Sequence, residues 1–193
     1  MEIRMLEPVE FSNAAGLSRY VFDNCLKYRM DFPQTISFVE EYITENNLIS
    51  LYEENKVKLW GVFEQNQLVG VSALQSDGLI TMLYVLPQCW KRGYGKGLLT
   101  TMREYGKHVY GMDRIVVNAT PAWTGHYFIK QGFSLLNPQQ NPNVPYVPLF
   151  APSSQVSKYQ KKKVPMKIMV LSGVGCLLFA TVVAVIYMMF YLM

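Results

Sequence analysis

The spacing of apolar residues changes repeatedly along the first 150 residues and predicts alternating helices and strands. Residues 2–6 alternate weakly between apolar and polar positions and predict a first strand. Apolar residues at helical spacing then predict a helix over residues 12–30 and a second helix over residues 35–42. The motif DFP, which ends at Pro33, is typical of the break between two helices.

The pattern then changes to the two-residue period of strands. Segments 58–65 and 67–75 flank Gln65 and Asn66, an arrangement that is typical of a hairpin. The apolar run from Leu79 to Leu86 follows, and its continuity indicates a strand that is covered on both faces.

The remaining pattern predicts a βαβ-like continuation. Leu98, Met102, Tyr105 and Val109 form one stripe of a helix. Three short elements are then predicted: a strand over 114–119, a helix over 124–131 and a strand over 133–136. Residues 138–152 hold five of the ten prolines and leave room for at most an edge strand near 146–150. This order predicts an α/β layer fold with a mixed sheet.

The C-terminal part of the sequence differs sharply from this pattern. Residues 168–193 contain no charged residue, and as a helix they would extend about 39 Å, against about 30 Å for a bilayer core. They therefore predict a transmembrane helix that anchors the chain by its tail. We divide the chain into a domain over 1–151, a basic linker over 152–167 and this membrane helix.

Charge changes this picture in two respects. Residues 1–150 carry 13 basic and 14 acidic side chains, so this part has no basic excess and we expect no nucleic-acid partner. The remaining residues carry five lysines and no acid, and these lysines precede the apolar run. By the positive-inside rule we expect a single-pass membrane protein whose N-terminal domain is cytoplasmic. The three cysteines show no metal-ligand spacing, which indicates reduced thiols and no metal site.

One strand-to-helix turn combines backbone freedom with positive charge. The stretch LYVLPQCWKRGYGKGLL, from Leu83 to Leu99, has glycines at every second position from Gly93 to Gly97. A helix start leaves backbone N–H groups unpaired, small residues let an anion approach them, and Arg92 and Lys96 add counter-charge. The turn therefore suits a pyrophosphate.

Two common phosphate loops do not fit this turn. A Walker A loop needs Ser or Thr after its lysine, and Lys96 precedes a glycine. A Rossmann fingerprint needs its glycines after the first strand of a βαβ unit and an acid about 20 residues later. Here the turn follows three meandering strands, and Asp113 begins the next strand instead of ending it.

The motif R-x-x-G-x-G at Arg92, Gly95 and Gly97 resembles the acetyl-CoA-binding motif of the GNAT N-acetyltransferases. The later stretch VVNATP…YFIKQGF resembles the second motif of that superfamily, and PYVPLF resembles its closing strand. The resemblance covers about residues 2–150. It implies a mixed, mostly antiparallel sheet flanked by helices, to which the predicted transmembrane helix is added, and acetyl-CoA as cosubstrate without a metal.

The resemblance also implies a role for each matching residue. Main-chain N–H groups of the glycine turn would bind the pyrophosphate of coenzyme A; these belong to Arg92, Gly93, Tyr94, Gly95, Lys96 and Gly97. Leu83 and Val85 would hydrogen-bond the pantetheine arm and the thioester through their main chain. Asn118 would contact the same arm from the next strand, which splays away from the first.

The catalytic acid has two candidate positions. In this family a tyrosine of the second-motif helix usually protonates the leaving thiolate. Counting back from Gly132 places Phe128 at that position, whereas counting forward from VNAT places Tyr127 there. We take Tyr127 as the acid, with Phe128 at that position as the alternative. The adjacent His126 faces about 100° away on a helix and is interpreted as a surface residue.

The general base and the acceptor amine are not evident from the sequence. The strand Leu79–Leu86 contains no carboxylate, and Glu40, Glu41 or a water molecule remain as candidates. The first hypothesis is a membrane-anchored N-acetyltransferase that acts on a small-molecule or protein amine. The second is a non-catalytic CoA-binding scaffold or sensor. Small residues at steps of four in the apolar run could support a homodimer; they are Ser172, Cys176, Ala180 and Ala184.

Overall fold

The computed structural model describes residues 1–30, 32–136 and 145–153, which form a mixed α/β domain. Its strands are β1 (Glu2–Met5), β2 (Val57–Glu64), β3 (Gln67–Gln75), β4 (Leu79–Val85), β5 (Arg114–Ala119), β6 (Ser134–Leu135) and β7 (Val147–Pro152). Its helices are α1 (Phe11–Val21), α2 (Pro33–Tyr42), α3 (Glu45–Glu53), α4 (Tyr94–His108) and α5 (Gly125–Lys130).

All seven strands belong to one sheet in the order β1-β2-β3-β4-β5-β7-β6. Every neighbouring pair is antiparallel except β4 and β5, which are parallel. A parallel pair needs a crossover connection, and α4 supplies it. The predicted mixed, mostly antiparallel sheet is confirmed.

The sheet has a hydrophobic core on each face. On one face the apolar side of α4, including Leu98 and Met102, packs with Trp60, Ile115 and Leu149 of the strands. On the other face α1 and α3 cover a second cluster, which contains fully buried Phe11, Leu48 and Val71. Strands covered on both faces read as continuous apolar runs, and this explains the pattern of β4.

The predicted hairpin between β2 and β3 is confirmed. Glu64 pairs with Gln67, and the two residues between them have φ angles of 50° and 64°. Positive φ at both central positions is the geometry that matches the twist of a two-residue hairpin, and asparagine adopts it readily.

The region before β2 contains more separate helical segments than the sequence pattern predicts. The helix predicted over residues 12–30 consists of α1, a π-helical turn over Phe22–Leu26 and a 3-10 turn over Lys27–Arg29. The second predicted helix is confirmed as α2, which begins at Pro33. The sequence pattern did not predict α3 as a separate helix. Thr44 caps its start by accepting the N–H of Asn47.

The prediction that the proline-rich segment forms at most an edge strand is wrong. β7 lies inside the sheet, between β5 and β6, and β6 is the edge. This is possible because β6 has only two residues and pairs with Leu149 and Phe150, which lie between Pro148 and Pro152. Pro148 has no N–H to donate, and it pairs on this side through its carbonyl, which accepts the N–H of Leu136 at 3.0 Å.

The predicted membrane helix over 168–193 lies outside the described residues, as does the basic linker from residue 154 onward. Within the described ranges, each helix is too short or too polar to cross a bilayer.

Candidate active site

The main cleft of the domain opens where β4 and β5 separate. The two strands are paired only at Leu79 with Val116 and at Ile80 with Val117, and beyond that point they diverge. The resulting cleft has a volume of about 720 Å³. Its walls are the ends of β4 and β5, the start of α4, the helix α5 and the turn that follows α1. This is the splayed geometry that the resemblance implied.

The main chain of β4 presents hydrogen-bonding groups to this cleft. Leu86 donates its N–H to the carbonyl of Val69 on β3 at 2.9 Å. Since alternate residues of a strand direct their main-chain groups to opposite sides, those of Leu83 and Val85 face β5. The Val85 carbonyl accepts the indole N–H of Trp90 at 2.7 Å, so one of these groups is already engaged.

The glycine turn places uncapped backbone amides at one end of the cleft. Gly93 has a φ of 88°, a left-handed conformation that glycine adopts at low cost, and α4 begins at the next residue. The first helical hydrogen bond runs from the N–H of Gly97 to the carbonyl of Gly93. The amides of Tyr94, Gly95 and Lys96 precede that bond, and no described side chain caps this helix start. Such a start attracts an anion.

The three glycines of the turn have different structural surroundings. Gly93 provides the left-handed backbone. A methyl group added at Gly95 would lie 2.5 Å from the hydroxyl of Tyr127. A methyl group added at Gly97 would lie 2.6 Å from Cδ1 of Ile3, so this glycine lets α4 pack on β1. Gly97 does not line the cleft.

The Arg92 side chain is engaged by another side chain of the protein. Its guanidinium donates two hydrogen bonds to the carboxylate of Glu64, at 2.8 and 2.5 Å, and the residue does not line the cleft. The Glu64 carboxylate raises the pKa of Arg92 further above its ordinary value. The basic side chains that do line the cleft are Lys91, Lys96 and Lys130.

Tyr127 projects from α5 toward the start of α4. Its hydroxyl lies beside Gly95, it lines the cleft, and 37% of the residue is exposed. Burial of the hydroxyl raises the pKa of Tyr127 to about 12. Phe128, in contrast, is 7% exposed and packs edge-on against Phe133 in the core. The structure therefore places the phenol of Tyr127 at the turn, and its role as the acid stays a prediction.

Three further residues considered in the sequence analysis also line the cleft. Asn118 lies near the end of β5 and lines the cleft. Tyr94 also lines it, although the residue is 6% exposed and packs in the core beside α4. His126 is exposed and lines the cleft as well, so it is closer to the site than its interpretation as a surface residue implied.

The two glutamates that we considered as general bases do not line the cleft. Glu40 binds Lys27 at 2.6 Å and Arg19 at 3.2 Å. The hydrogen bond from Lys27 lowers the pKa of Glu40, which makes this carboxylate a weaker base. Glu41 is exposed on α2. Among the described lining residues none is a carboxylate.

Two tryptophans at the cleft were not predicted. Trp90 ties the glycine turn to β4 through its indole N–H, and Trp123 forms part of the opposite wall. The guanidinium of Arg29 lies 5.3 Å from the centre of the Trp123 ring and links this wall to the turn that follows α1. The contact of Trp90 with Val85 spans only five positions, whereas the contact of Arg29 with Trp123 joins segments far apart in sequence, which no spacing rule indicates.

The domain thus combines a mixed sheet whose parallel strands splay apart with an uncapped helix start at the splayed end. The family described as "Acetyltransferase (GNAT) domain" matches residues 32–148, which is more than half of the chain. The chain belongs to the GNAT acetyltransferase family, and its identification as a member from sequence motifs is confirmed.

Solved structures show the same fold. PaiA N-acetyltransferase from Thermoplasma acidophilum, in complex with coenzyme A, is 16% identical with a TM-score of 0.61, and the match covers 78% of this chain and 98% of that one. A GCN5-related N-acetyltransferase from Rhodopseudomonas palustris is also 16% identical, with a TM-score of 0.64 over 78% and 94% of the two chains.

A third similar structure is N-acetylglutamate synthase from Neisseria gonorrhoeae, complexed with coenzyme A and N-acetyl-glutamate. It is 18% identical with a TM-score of 0.54, and the match covers 80% of this chain and 35% of that one. No curated protein matches the sequence. The expectation of acetyl-CoA as cosubstrate fits this family, since two of these relatives are complexed with coenzyme A.

Proposed function

We propose that this protein is an acetyl-CoA-dependent N-acetyltransferase in which Tyr127 is the general acid. The observation that carries the proposal is the position of the Tyr127 hydroxyl beside Gly95, in the wedge between β4 and β5. The amides of Tyr94, Gly95 and Lys96 would bind the diphosphate of coenzyme A, and the lysines of the cleft would add attraction for the anion. The complexes of two relatives with coenzyme A support this assignment.

The transfer requires few groups from the protein. The amine nitrogen of the acceptor bonds to the acetyl carbonyl carbon while the carbon–sulfur bond of the thioester breaks. The leaving sulfur takes the proton of the Tyr127 hydroxyl, the new amide loses its extra proton to water, and the tyrosinate regains a proton from water. Because burial raises the pKa of Tyr127 to about 12, the phenol stays protonated at neutral pH, as a general acid must, although the same shift makes it a weaker acid.

We also propose that residues 168–193 anchor this domain to a membrane, with the domain on the cytoplasmic side. The support is the uncharged apolar run and the lysines before it. An anchored enzyme would meet an amine acceptor at or near the membrane, where its effective concentration is raised.

A thiol-release assay tests the catalytic proposal. The purified full-length chain is mixed with acetyl-CoA and a panel of small amines and amine-bearing peptides, and free thiol is followed. We expect Tyr127→Phe to lower kcat about 100-fold while coenzyme A binding changes little, since an acid is lost and only a hydroxyl is removed. Tyr20→Phe is the matched control, because Tyr20 is exposed and does not line the cleft.

Two results would count against catalysis. Full activity of Tyr127→Phe would remove this tyrosine from the mechanism. Binding of coenzyme A without turnover of any amine in the panel would favour the second hypothesis, a CoA-binding scaffold, for which the cleft without a described carboxylate base is the motivating observation.

A further inference from the structure

An acidic side chain stands beside the turn that we assign to a diphosphate. Glu64 ends β2 and precedes the hairpin turn, and its carboxylate accepts hydrogen bonds from both terminal nitrogens of the Arg92 guanidinium and from the Cys89 thiol at 4.0 Å. A carboxylate near a phosphate site weakens anion binding by repulsion. Its presence at this place therefore needs a function that outweighs the repulsion.

The turn itself is irregular and depends on a small number of anchors. Between β4 and α4 the chain passes through Lys91, with a φ of 62°, and Gly93, with a φ of 88°. A positive φ at lysine is unfavourable and persists only where neighbouring contacts hold it. Trp90 anchors one side of this segment to the Val85 carbonyl, and Arg92 anchors the other side to Glu64.

We propose that Glu64 is a positioning residue for the phosphate-binding turn and acts through Arg92. The bidentate pair holds the residue between Lys91 and Gly93, so it fixes the direction in which the first amides of α4 point. It also turns the Arg92 guanidinium away from the cleft, which leaves Lys91 and Lys96 as the cations at the turn. The inference rests on the proposed binding of coenzyme A.

The variant Glu64→Gln separates positioning from simple electrostatics, because the two predict opposite signs. Removal of a negative charge and release of Arg92 would strengthen the binding of an anion if charge alone mattered. Loss of the bidentate anchor would weaken binding if the pair positions the turn, since the ligand must then order a looser segment. We expect the Kd for coenzyme A to rise about tenfold.

Two further comparisons sharpen the test. Arg92→Gln should weaken coenzyme A binding at least as much, because it removes a cation as well as the pair, and the double variant should be no weaker than Arg92→Gln alone, because the pair is already lost there. Pantetheine lacks the diphosphate, so its binding, followed by tryptophan fluorescence, should not change in Glu64→Gln. Glu54→Gln is the matched control: it loses an exposed ion pair with Lys56 near the opposite end of β2.

The outcomes are distinguishable. If the full-length wild-type chain binds no coenzyme A, the proposed function fails and this inference fails with it. If the wild type binds and Glu64→Gln binds equally or more tightly, only the positioning role is overturned. An equal loss for pantetheine and coenzyme A would also overturn it, since that result indicates general damage. Thermal unfolding of each variant checks the fold, and little change is expected from an exposed pair.

Discussion

Two strand-to-helix turns of this domain treat their free backbone amides in opposite ways. β1 leads into the helical segment Pro8–Val21, and β4 leads into α4. At both helix starts the first backbone N–H groups have no carbonyl of a preceding helical turn to donate to. At the first turn the Glu10 carboxylate accepts the N–H of Glu7 at 3.0 Å and is itself held by Arg4 at 2.6 and 2.8 Å.

The second turn also has a glutamate paired with an arginine, but this glutamate does not cap the helix. Its acid, Glu64, comes from a different strand and is held aside by Arg92. The amides at the start of α4 have no capping partner within the described part of the chain, and they face a cleft lined by lysines. At the first helix start a carboxylate of the chain itself, that of Glu10, accepts a backbone N–H. At the second helix start no described side chain does so, and the backbone N–H groups can bind the anion of a ligand. The difference separates a turn that the chain caps itself from the turn that the proposed function assigns to the diphosphate.

The largest expected effect comes from Gly95→Ala. The added methyl group would lie 2.5 Å from the Tyr127 hydroxyl, so the turn or the tyrosine must move. We expect the affinity for coenzyme A to fall roughly 100-fold, and turnover to fall with it. The double variant with Tyr127→Phe should regain coenzyme A binding but not turnover, because the ring carbon Cζ would be 3.4 Å from the methyl group. Isothermal titration measures the binding.

The matched control for this prediction is Gly16→Ala. Gly16 lies in α1, and a methyl group there would meet no atom within 4 Å among the described residues. This variant should bind coenzyme A as the wild type does. If Tyr127→Phe fails to restore binding to Gly95→Ala, then phosphate approach, and not the tyrosine, is the reason for glycine at this position.

A smaller effect is expected from Lys96→Gln, which removes one of the cations that line the binding turn. We expect the Kd for coenzyme A to rise about fivefold, and the loss should shrink as salt is added because exposed charges are screened. Lys107→Gln, in the last turn of the same helix, is the control and should bind normally. An effect of Lys96→Gln that does not depend on salt would indicate a contact other than charge.

Much of the fold could be predicted from the sequence because local periodicity determines single elements. The strands β2 to β5 and the helix α4 follow from apolar spacing and from the hairpin pair Gln65 and Asn66. The internal position of β7 could not be predicted, since it depends on β6 being short enough to pair between two prolines. Periodicity describes one segment at a time, and strand order depends on contacts between segments.

The same limit explains what the site predictions missed. The motif located the turn, and the structure brings Leu83, Asn118 and Tyr127 to the cleft beside it. The charge of Arg92 predicted a phosphate contact, but its partner Glu64 is 28 positions away and no spacing rule indicates it. Likewise the Tyr127 hydroxyl on α5 lies 2.5 Å from where a methyl group at Gly95 would stand, a contact that becomes visible only when the two helices are placed together.

The smallest effect concerns the turn that the chain fills itself. The hydrogen bonds from Arg4 lower the pKa of Glu10 to about 2, against an ordinary value of 4.5. A lowered pKa in the folded state stabilises the fold above pH 4.5, and this contribution is lost as the pH falls from about 4.5 to about 2. Because the Arg4 side chain is 41% exposed, screening reduces it to about 1 kcal/mol.

Glu10→Gln should therefore lower the free energy of unfolding at pH 7 by about 1 kcal/mol and lose this part of the pH dependence. Urea unfolding followed by tryptophan fluorescence measures it, since all three tryptophans lie in residues 60–123. Coenzyme A binding should stay unchanged, because neither Arg4 nor Glu10 lines the cleft. A loss of binding in Glu10→Gln as large as that in Glu64→Gln would contradict the distinction between the two turns, since it would show that any displaced acid disturbs the site.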